Sequence, residues 1–242
     1  MKDLLKYTII GLSIIISVIV LSAAITYYGR SRDTISVTGL GEQTFTSDQI
    51  VWSGRIEVES FDKLEAYKQI EKNRKTVASY LEDRGIDSKE VTFEFVNINK
   101  QFTSIYDNGN YVGQRFAGYS VSQGFSVTSN EVDKVEKVSR EISSLITQGV
   151  DIDSYSPQYY YTKLDDLKLK LIETASKDAR ARAENIVNNA GAKLGKASQA
   201  NLGVFQITDV NGDDEYLYGG AFNTSSKEKK ARITVRMVYK LK

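Results

Sequence analysis

The most constraining feature of the sequence is residues 164–195, a stretch that predicts one long amphipathic helix. Its apolar residues recur every three or four positions, so they share one face, and the other faces are charged. They are Leu164, Leu167, Leu171, Ala175, Ala179, Ala183, Ile186 and Ala190. Asp165 and Asp166 suit a helix start, and the glycines at 191 and 195 suit its end. Because the stripe narrows from leucine to alanine, we expect a sheet to approach the second half closely.

Composition removes several classes of chemistry. The chain has 242 residues, a formal charge of +1, no cysteine and no histidine. This excludes disulfides, thiolate metal sites, cysteine nucleophiles and every histidine-based triad or zinc site. The neutral balance predicts no nucleic-acid partner. We therefore predict neither a catalytic residue nor a metal or cofactor, and any catalysis would depend on carboxylates, lysines, tyrosines or serines.

Residues 7–28 carry no charge and predict a transmembrane anchor. As a helix this run would be roughly 33 Å long, enough to span a bilayer. Residues 1–6 would then be a cytoplasmic tail and residues 29–34 a tether. A cleaved signal peptide is the alternative, because Ser22 and Ala24 resemble a cleavage site, but the run exceeds the usual ~7–15 apolar residues. A short tail before a large domain favours export of that domain.

The remaining pattern predicts an α+β domain with mainly antiparallel strands. Helices are expected to begin at Asp62, which would form a capping box with Glu65, and at Asn130. Asp107-Asn108-Gly109 is a hairpin-turn signal. Alternation predicts strands at residues 35–40, 49–58, 91–98, 116–128, 152–161, 198–208 and 231–241. Residues 209–230 are predicted to be a polar loop.

Two short segments echo each other. Arg84-Gly85-Ile86-Asp87 follows the first of these helices, and Gln148-Gly149-Val150-Asp151 follows the second. Each leads into another strand. The repeat predicts two β-α-β units that form related halves of one domain.

Four segments together resemble the SIMPL-domain family. They are ISVTGLGE from Ile35, Asp48 before the second strand, GYSVSQGFSVT from Gly118 and ASKDARARAENIVNNAGAKLG from Ala175. The resemblance covers residues 35–241 and implies an α+β domain, which we place at 35–242. It also implies a bacterial inner-membrane protein, single-pass, with its domain in the periplasm. Some relatives form ring- or channel-like oligomers or are linked to oxidative stress, and the family has no attributed catalytic residues.

The strand at 152–161 offers the one candidate interaction surface, Tyr155, Tyr159, Tyr160 and Tyr161. Alternation places Tyr159 and Tyr161 on one face and Tyr160 on the other. This favours sheet packing or a subunit contact over an aromatic platform for a sugar or peptide.

Other motifs lack the partners that their chemistry needs. Residues 209–220 begin like a calcium loop but have Asp214 at the turn-glycine position and Gly220 at the twelfth, so a solvated loop is predicted. Ser60 and Ser226 have S-x-x-K spacing without companion motifs, and Ser60 is predicted to form local bonds at a helix start. The basic residues Lys227, Lys229, Lys230, Arg232 and Arg236 predict a solvated face rather than a phospholipid or nucleic-acid site.

Three functional hypotheses follow. The first is a non-enzymatic, envelope-anchored protein that acts through homo-oligomeric assembly or binding. The second is a hydrolase or sugar-active enzyme built on carboxylates such as Asp48 and Glu57, which requires both acids at one cleft. The third is a monomeric module that binds a ligand with its tyrosine face.

Overall fold

The computed structural model describes residues 2–30, 33–210 and 220–242, with side chains in the first helix at Tyr7 and residues 11–25. The α-helices are α1 Lys2–Arg30, α2 Lys63–Asp83, α3 Val132–Glu141 and α4 Leu164–Asn189, with 3₁₀ segments at Ser88–Glu90 and Ile142–Gln148. The strands are β1 Thr34–Thr46, β2 Gln49–Ser60, β3 Val91–Asp107, β4 Asn110–Ser129, β5 Asp151–Ser154, β6 Gln158–Tyr160, β7 Leu194–Leu202, β8 Gln206–Asp209 and β9 Glu228–Leu241. The fold is α+β, as predicted.

Both predicted β-α-β units lie in a five-stranded antiparallel sheet. Its strand order is β3-β4-β2-β5, and β6 also pairs with β2. The first unit is β2-α2-β3 and the second is β4-α3-β5, so one strand of each unit lies between the two strands of the other. This is the split β-α-β arrangement known from ferredoxin-like folds.

The echo between the two units has a common geometry. Gly85 and Gly149 adopt φ of 76° and 79°, the left-handed conformation that glycine tolerates. The next residues, Ile86 and Val150, are both 2% exposed. Each also donates its backbone N–H back to a helix-end carbonyl, at 3.1 and 3.2 Å. The segments therefore end their helices identically and insert an apolar side chain under the sheet.

Helices α2 and α3 cover one face of the five-stranded sheet. Their apolar stripes pack against alternate residues of β2 and β4, as period-2 alternation requires. The core contains Ile50, Trp52, Ile56, Ala66, Ile70, Val77, Leu81, Val121, Phe125, Val127, Val135, Val138, Ile142 and Leu145.

The two helix starts differ from each other. Asp62 caps α2 as predicted, because its Oδ1 accepts the backbone N–H of Glu65 at 2.9 Å. The reciprocal bond of the predicted capping box is replaced, because the Asp62 N–H donates to Ser60 Oγ and not to the Glu65 side chain. The prediction that Asn130 caps α3 is wrong. The N-cap position is Glu131, without a side-chain bond to the helix, and Ser129 Oγ accepts the N–H of Glu131 instead. The hydrogen bond that holds the start of α3 thus comes from Ser129, one residue before Asn130.

A four-stranded antiparallel sheet packs against α4. Strand β9 is central, with β1 on one side and β7 followed by β8 on the other. The predicted close approach occurs at β1, but it is not confined to the alanine half of the helix: a Cβ added to Gly39 would lie 2.1 Å from the Ala175 carbonyl oxygen, and one added to Gly41 would lie 2.2 Å from that of Leu171. Leu40 also donates its N–H to Asp178 Oδ2 at 2.8 Å. The backbones of α4 and β1 are therefore in direct contact.

The apolar face of α4 differs from the predicted stripe in its last turn. Leu167, Leu171, Ala175, Ala179 and Ala183 are buried, but the next buried residue is Val187. Ile186 is 53% exposed and Ala190 is also exposed. A strict four-residue spacing keeps Val187, not Ile186, facing the sheet. The helix ends at Asn189 with Gly191 in the left-handed region, so residues 194–202 form β7 instead of its last turn.

Several predicted strands have other boundaries. The predicted strand at 198–208 is two strands, β7 and β8, and β9 begins at Glu228, within the segment predicted as a loop. Strand β1 continues through Gly39 and Gly41, which serve contact with α4 and do not end the strand. The predicted strand at 152–161 is two strands, β5 and β6, interrupted around Pro157. Proline lacks the N–H that a continuous ladder needs.

The described side chains of α1 are all exposed. They include Leu12, Ile16, Ile19, Leu21 and Ile25, at 53–64% exposure. In the part of the chain whose side chains are described, no helix has both the length and the apolar character needed to span a bilayer. The predicted anchor includes residues 8–10 and 26–28, whose side chains lie outside the described set, as do residues 31 and 32 of the tether.

Candidate functional site

The four candidate tyrosines do not share one surface. Tyr155 is 49% exposed and follows β5, whereas Tyr159 is 7% exposed and belongs to the core of the five-stranded sheet. Tyr160 donates its hydroxyl to Gln158 Oε1 at 2.6 Å. Tyr161 packs on Phe45, with ring centroids 4.8 Å apart. Tyr155 and Tyr159 line a common groove of about 530 Å³, so these two could contact one ligand.

Tyr159 lies where the two sheets meet. Its backbone N–H donates to the Thr224 carbonyl at 2.7 Å, and its own carbonyl accepts the buried Lys229 amine. Burial, followed by the nearby Glu136 carboxylate, raises the pKa of the Tyr159 hydroxyl. Lys229 is 2% exposed, and burial lowers the pKa of its amine to about 8. This contact joins β6 to β9.

The predicted solvated basic face is therefore wrong at Lys229. Period-2 alternation places this residue beside Ala231 and Ile233 on the buried face of β9. Lys227 forms ion pairs with Asp133 and Glu136 on α3, and Asp133 raises the pKa of the lysine. Two residues of the basic cluster, Lys227 and Lys229, therefore link the two sheets.

Asp48 and Glu57 are not brought to one cleft. The Asp48 carboxylate accepts the Thr162 N–H at 2.7 Å and the Thr162 hydroxyl at 2.8 Å, which fixes the segment before α4. Glu57 accepts the Ser120 hydroxyl and pairs with Arg55 at 3.4 Å. Nine strand positions separate the two acids, about 30 Å at the usual rise. They cannot flank one scissile bond.

The remaining motifs have structural partners where they are described. Ser60 Oγ accepts the N–H of Asp62 at 3.2 Å, as expected for a helix start. Ser226 donates its hydroxyl to Asp209. Residues 211–219 of the rejected calcium loop lie outside the described residues. Elsewhere in the described chain, no group of three acidic side chains is arranged to hold a metal ion.

The hairpin of β3 and β4 extends beyond the helices as an arm, residues 99–118. Its turn has Asn108 at φ 45° and Gly109 at φ 83°, the two positive values of a type I′ turn. This confirms the hairpin predicted from Asp107-Asn108-Gly109. Large apolar side chains on the arm remain 39–64% exposed: Phe102, Ile105, Tyr106, Tyr111, Val112 and Phe116.

The exposed rings of the arm contact one another. Phe116 lies 6.1 Å from Phe102 and 5.2 Å from Tyr119 between ring centroids. Phe61, 75% exposed at the end of β2, lies 6.5 Å from Phe116. We call Phe61, Phe102, Phe116 and Tyr119 the aromatic cluster. These neighbouring rings lie where the base of the arm meets the residue that follows β2.

Comparison with protein families identifies the chain. A family model described as SIMPL, a protein of unknown function (DUF541), matches residues 35–239. The chain belongs to the SIMPL family. The match confirms the resemblance drawn from its motifs and covers the strands from β1 to β9. A comparison with curated proteins returned no match.

The SIMPL family is of unknown function, so it assigns no site residue to this chain. Sequence reasoning missed the aromatic cluster of this SIMPL domain. The hairpin-turn signal was visible, but the polar residues between 99 and 115 hid the fact that both strands continue to the turn. Phe102 lies opposite Phe116 in the ladder between β3 and β4. The pairing of these two aromatic positions across the predicted hairpin was the sequence signal that was not used.

Proposed function

We propose that this SIMPL protein is anchored in the bacterial inner membrane and acts by self-association of its periplasmic domain, without catalysis. The observation that carries the proposal is the exposed aromatic arm. Monomeric proteins rarely leave a contiguous apolar patch of this kind uncovered. Aromatic side chains are also enriched at the centres of protein interfaces.

Strand β3 favours a second copy of the chain as the partner. It lies at the edge of the five-stranded sheet, so in the described structure its outer backbone groups pair with no other strand. Between residues 99 and 118 the charged residues are Lys100, Asp107 and Arg115. A long edge with few charges is a template for pairing with another edge. Two β3 strands that pair antiparallel would form a symmetric contact and join both aromatic clusters.

Light scattering of the domain tests self-association. None of the α1 side chains that the structure describes belongs to a hydrophobic core, so residues 33–242 can be studied without the anchor. We expect a mass above that of the monomer. Phe102→Ser with Phe116→Ser should raise the dissociation constant at least about tenfold, because the two rings would lose their apolar contact.

The matched control is Leu169→Ser with Ile186→Ser, which removes two exposed apolar side chains of α4. It should leave the mass unchanged. A wild-type domain that is monomeric at every concentration would contradict the proposal. If both double variants weakened self-association equally, the arm would not be the contact surface.

The membrane anchor is supported by the uncharged run at residues 7–28 and by the exposed apolar side chains of α1. External protease applied to spheroplasts tests the topology. We expect digestion of the domain and retention of the N-terminal helix in the membrane fraction. Protection of the domain until the cells are lysed would place it in the cytosol and contradict the proposal.

A further inference from the structure

A second surface, formed by other residues than the aromatic arm, has the features of a binding site. It is a groove of about 800 Å³ between α2 and the 3₁₀ segment Ile142–Gln148. Its lining extends along α2 from Tyr67 to Arg84, about 26 Å at the helical rise. The groove is therefore long enough for an elongated ligand.

One wall is basic. Lys68, Lys72 and Lys75 lie on successive turns of α2, are exposed, and line the groove together. Among the described residues none of the three forms an ion pair, and Glu71 in the same groove is paired with Arg74 at 3.1 Å. Like charges at this spacing repel each other. An anion in the groove would remove that repulsion.

Helix α4 provides a contrast within the same chain. There, basic residues pair with acids one turn away: Lys177 with Glu173, Arg180 with Glu184 and Arg182 with Asp178. Such pairs are the ordinary arrangement of a solvated helix face. The three lysines of α2 lack it, as do exposed lysines elsewhere such as Lys137 and Lys193, so the groove wall differs from an ordinary solvated surface in that three of them line one groove together.

The other wall is neutral and polar. It presents Ser144, Thr147 and Gln148. The Thr147 hydroxyl donates to the Ser144 carbonyl at 2.7 Å and the Ser144 hydroxyl to the Tyr80 hydroxyl at 3.5 Å, so both oxygens remain as acceptors, and the Gln148 amide can donate and accept. At one end of the groove the Tyr67 ring is 43% exposed and offers an apolar face. Tyr80 is buried instead, with the Arg84 guanidinium 3.4 Å from its ring centroid. The groove thus combines four cationic side chains with the two carboxylates of Glu71 and Asp83, so its lining keeps a positive balance, and adds hydroxyl and amide groups and one free ring.

We propose that this groove binds an elongated anionic glycan. Its carboxylate, sulfate or phosphate groups would lie along the three lysines, its hydroxyls against the neutral wall, and one sugar ring on Tyr67. A single-stranded nucleic acid fits less well, because it is held by several rings on which successive bases stack. In the described groove only Tyr67 offers an exposed ring.

Calorimetry with the full chain in detergent micelles tests the site. The probes are a heparin-derived hexasaccharide, the neutral hexasaccharide maltohexaose, and a six-nucleotide oligothymidylate. We expect the anionic hexasaccharide to bind, more weakly as salt increases, and maltohexaose not to bind. Absence of binding by the anionic hexasaccharide, or an oligothymidylate that binds as tightly, would overturn the proposal.

Two sets of variants locate the binding. Lys68→Gln, Lys72→Gln and Lys75→Gln together should lower the affinity about tenfold, since three charge contacts are lost and helix propensity is kept. The matched control replaces three exposed lysines elsewhere, Lys137, Lys193 and Lys196, with glutamine and should leave the affinity unchanged. If both triple variants lost affinity equally, binding would depend on net charge alone, and the proposed site would be overturned.

A third variant separates glycan recognition from charge attraction. Thr147→Ala with Gln148→Ala keeps every charge but removes hydrogen-bond partners from the neutral wall. A lower affinity for the anionic hexasaccharide supports the proposal. An unchanged affinity would show that the wall does not recognise sugar hydroxyls and would overturn the glycan assignment.

Discussion

Lys229 shows how much one residue can depend on its position in a strand. Its amine is buried between the two sheets and donates to the Tyr159 carbonyl. Burial disfavours the charged form, which is why the pKa of this lysine falls to about 8. The period-2 pattern of β9 contained this information, because Lys229 shares a face with Ala231, but the surrounding charges favoured a solvated face.

The lysine predicts a pH dependence of stability. Between about pH 8 and 10.5 the folded state has lost the Lys229 proton while the unfolded chain retains it, so stability rises with pH. Lys229→Met removes this contribution. The free energy of unfolding of the wild type minus that of Lys229→Met should therefore increase over this window, by at most about 1.4 kcal/mol per pH unit. Urea titrations from pH 7 to 10.5 measure it, and a constant difference would show that Lys229 stays charged.

At the scale of elements, α4 was the most predictable part of the molecule. Its start, its charged faces and the buried alanines Ala175, Ala179 and Ala183 followed from the sequence. Arg180 and Arg182 are surface groups, each paired with an acid of the same helix. The predicted strand at 35–40 stopped short of Gly41, which meets this helix, because a single strand pattern does not reveal what packs on it.

The close contact between α4 and β1 predicts a strong asymmetry between two alanines. Ala179→Leu should destabilise the domain by about 1–3 kcal/mol, because Ala179 is fully buried against β1 and has no room for three more carbons. Ala181→Leu makes the same change on the exposed side of the helix and should be nearly neutral. Thermal unfolding compares the two. Equal melting temperatures would mean that β1 can move away from α4.

The glycines that end the helices of the two β-α-β units should contribute equally to the stability of the fold. Gly85→Ala and Gly149→Ala should each destabilise by about 1–2 kcal/mol, since both positions require a left-handed backbone. Space is not the reason, because an added Cβ meets nothing within 4 Å at Gly149 and only the flexible end of Lys134 at Gly85. Chemical denaturation measures both. A much larger cost at one site would mean that the units are not equivalent.

At the scale of the whole molecule, the sequence predicted an α+β domain but not its division into two sheets. Strands β1 and β9 pair along their whole lengths although about 190 residues separate them. Alternation reports only which residues of a strand are buried, so partners at this distance stay hidden. The extent of the arm was missed for a related reason, since its exposed strands bury no alternating face.

The junction between the sheets predicts how the molecule unfolds. Trp52 is the only tryptophan and lies in the five-stranded core, so its fluorescence reports that sheet alone. Fluorescence and far-UV circular dichroism should give one coincident transition in the wild type. Asp48→Ala with Lys227→Ala removes links between the sheets and should separate the two transitions. Coincident curves in this variant would show that other contacts couple the sheets.

The pairing of β1 with β9 also sets an order of folding. All strands and helices of the split β-α-β sheet lie between residues 49 and 160, so that sheet can close before the chain is complete. The four-stranded sheet must wait for residues 228–241, because its central strand is the last element made. We therefore expect nascent chains arrested before residue 228 to protect Trp52 while β1 remains open to protease. Protection of β1 in such chains would contradict this order. Until residues 228–241 are made, the strand next to the proposed membrane anchor has no strand with which to pair.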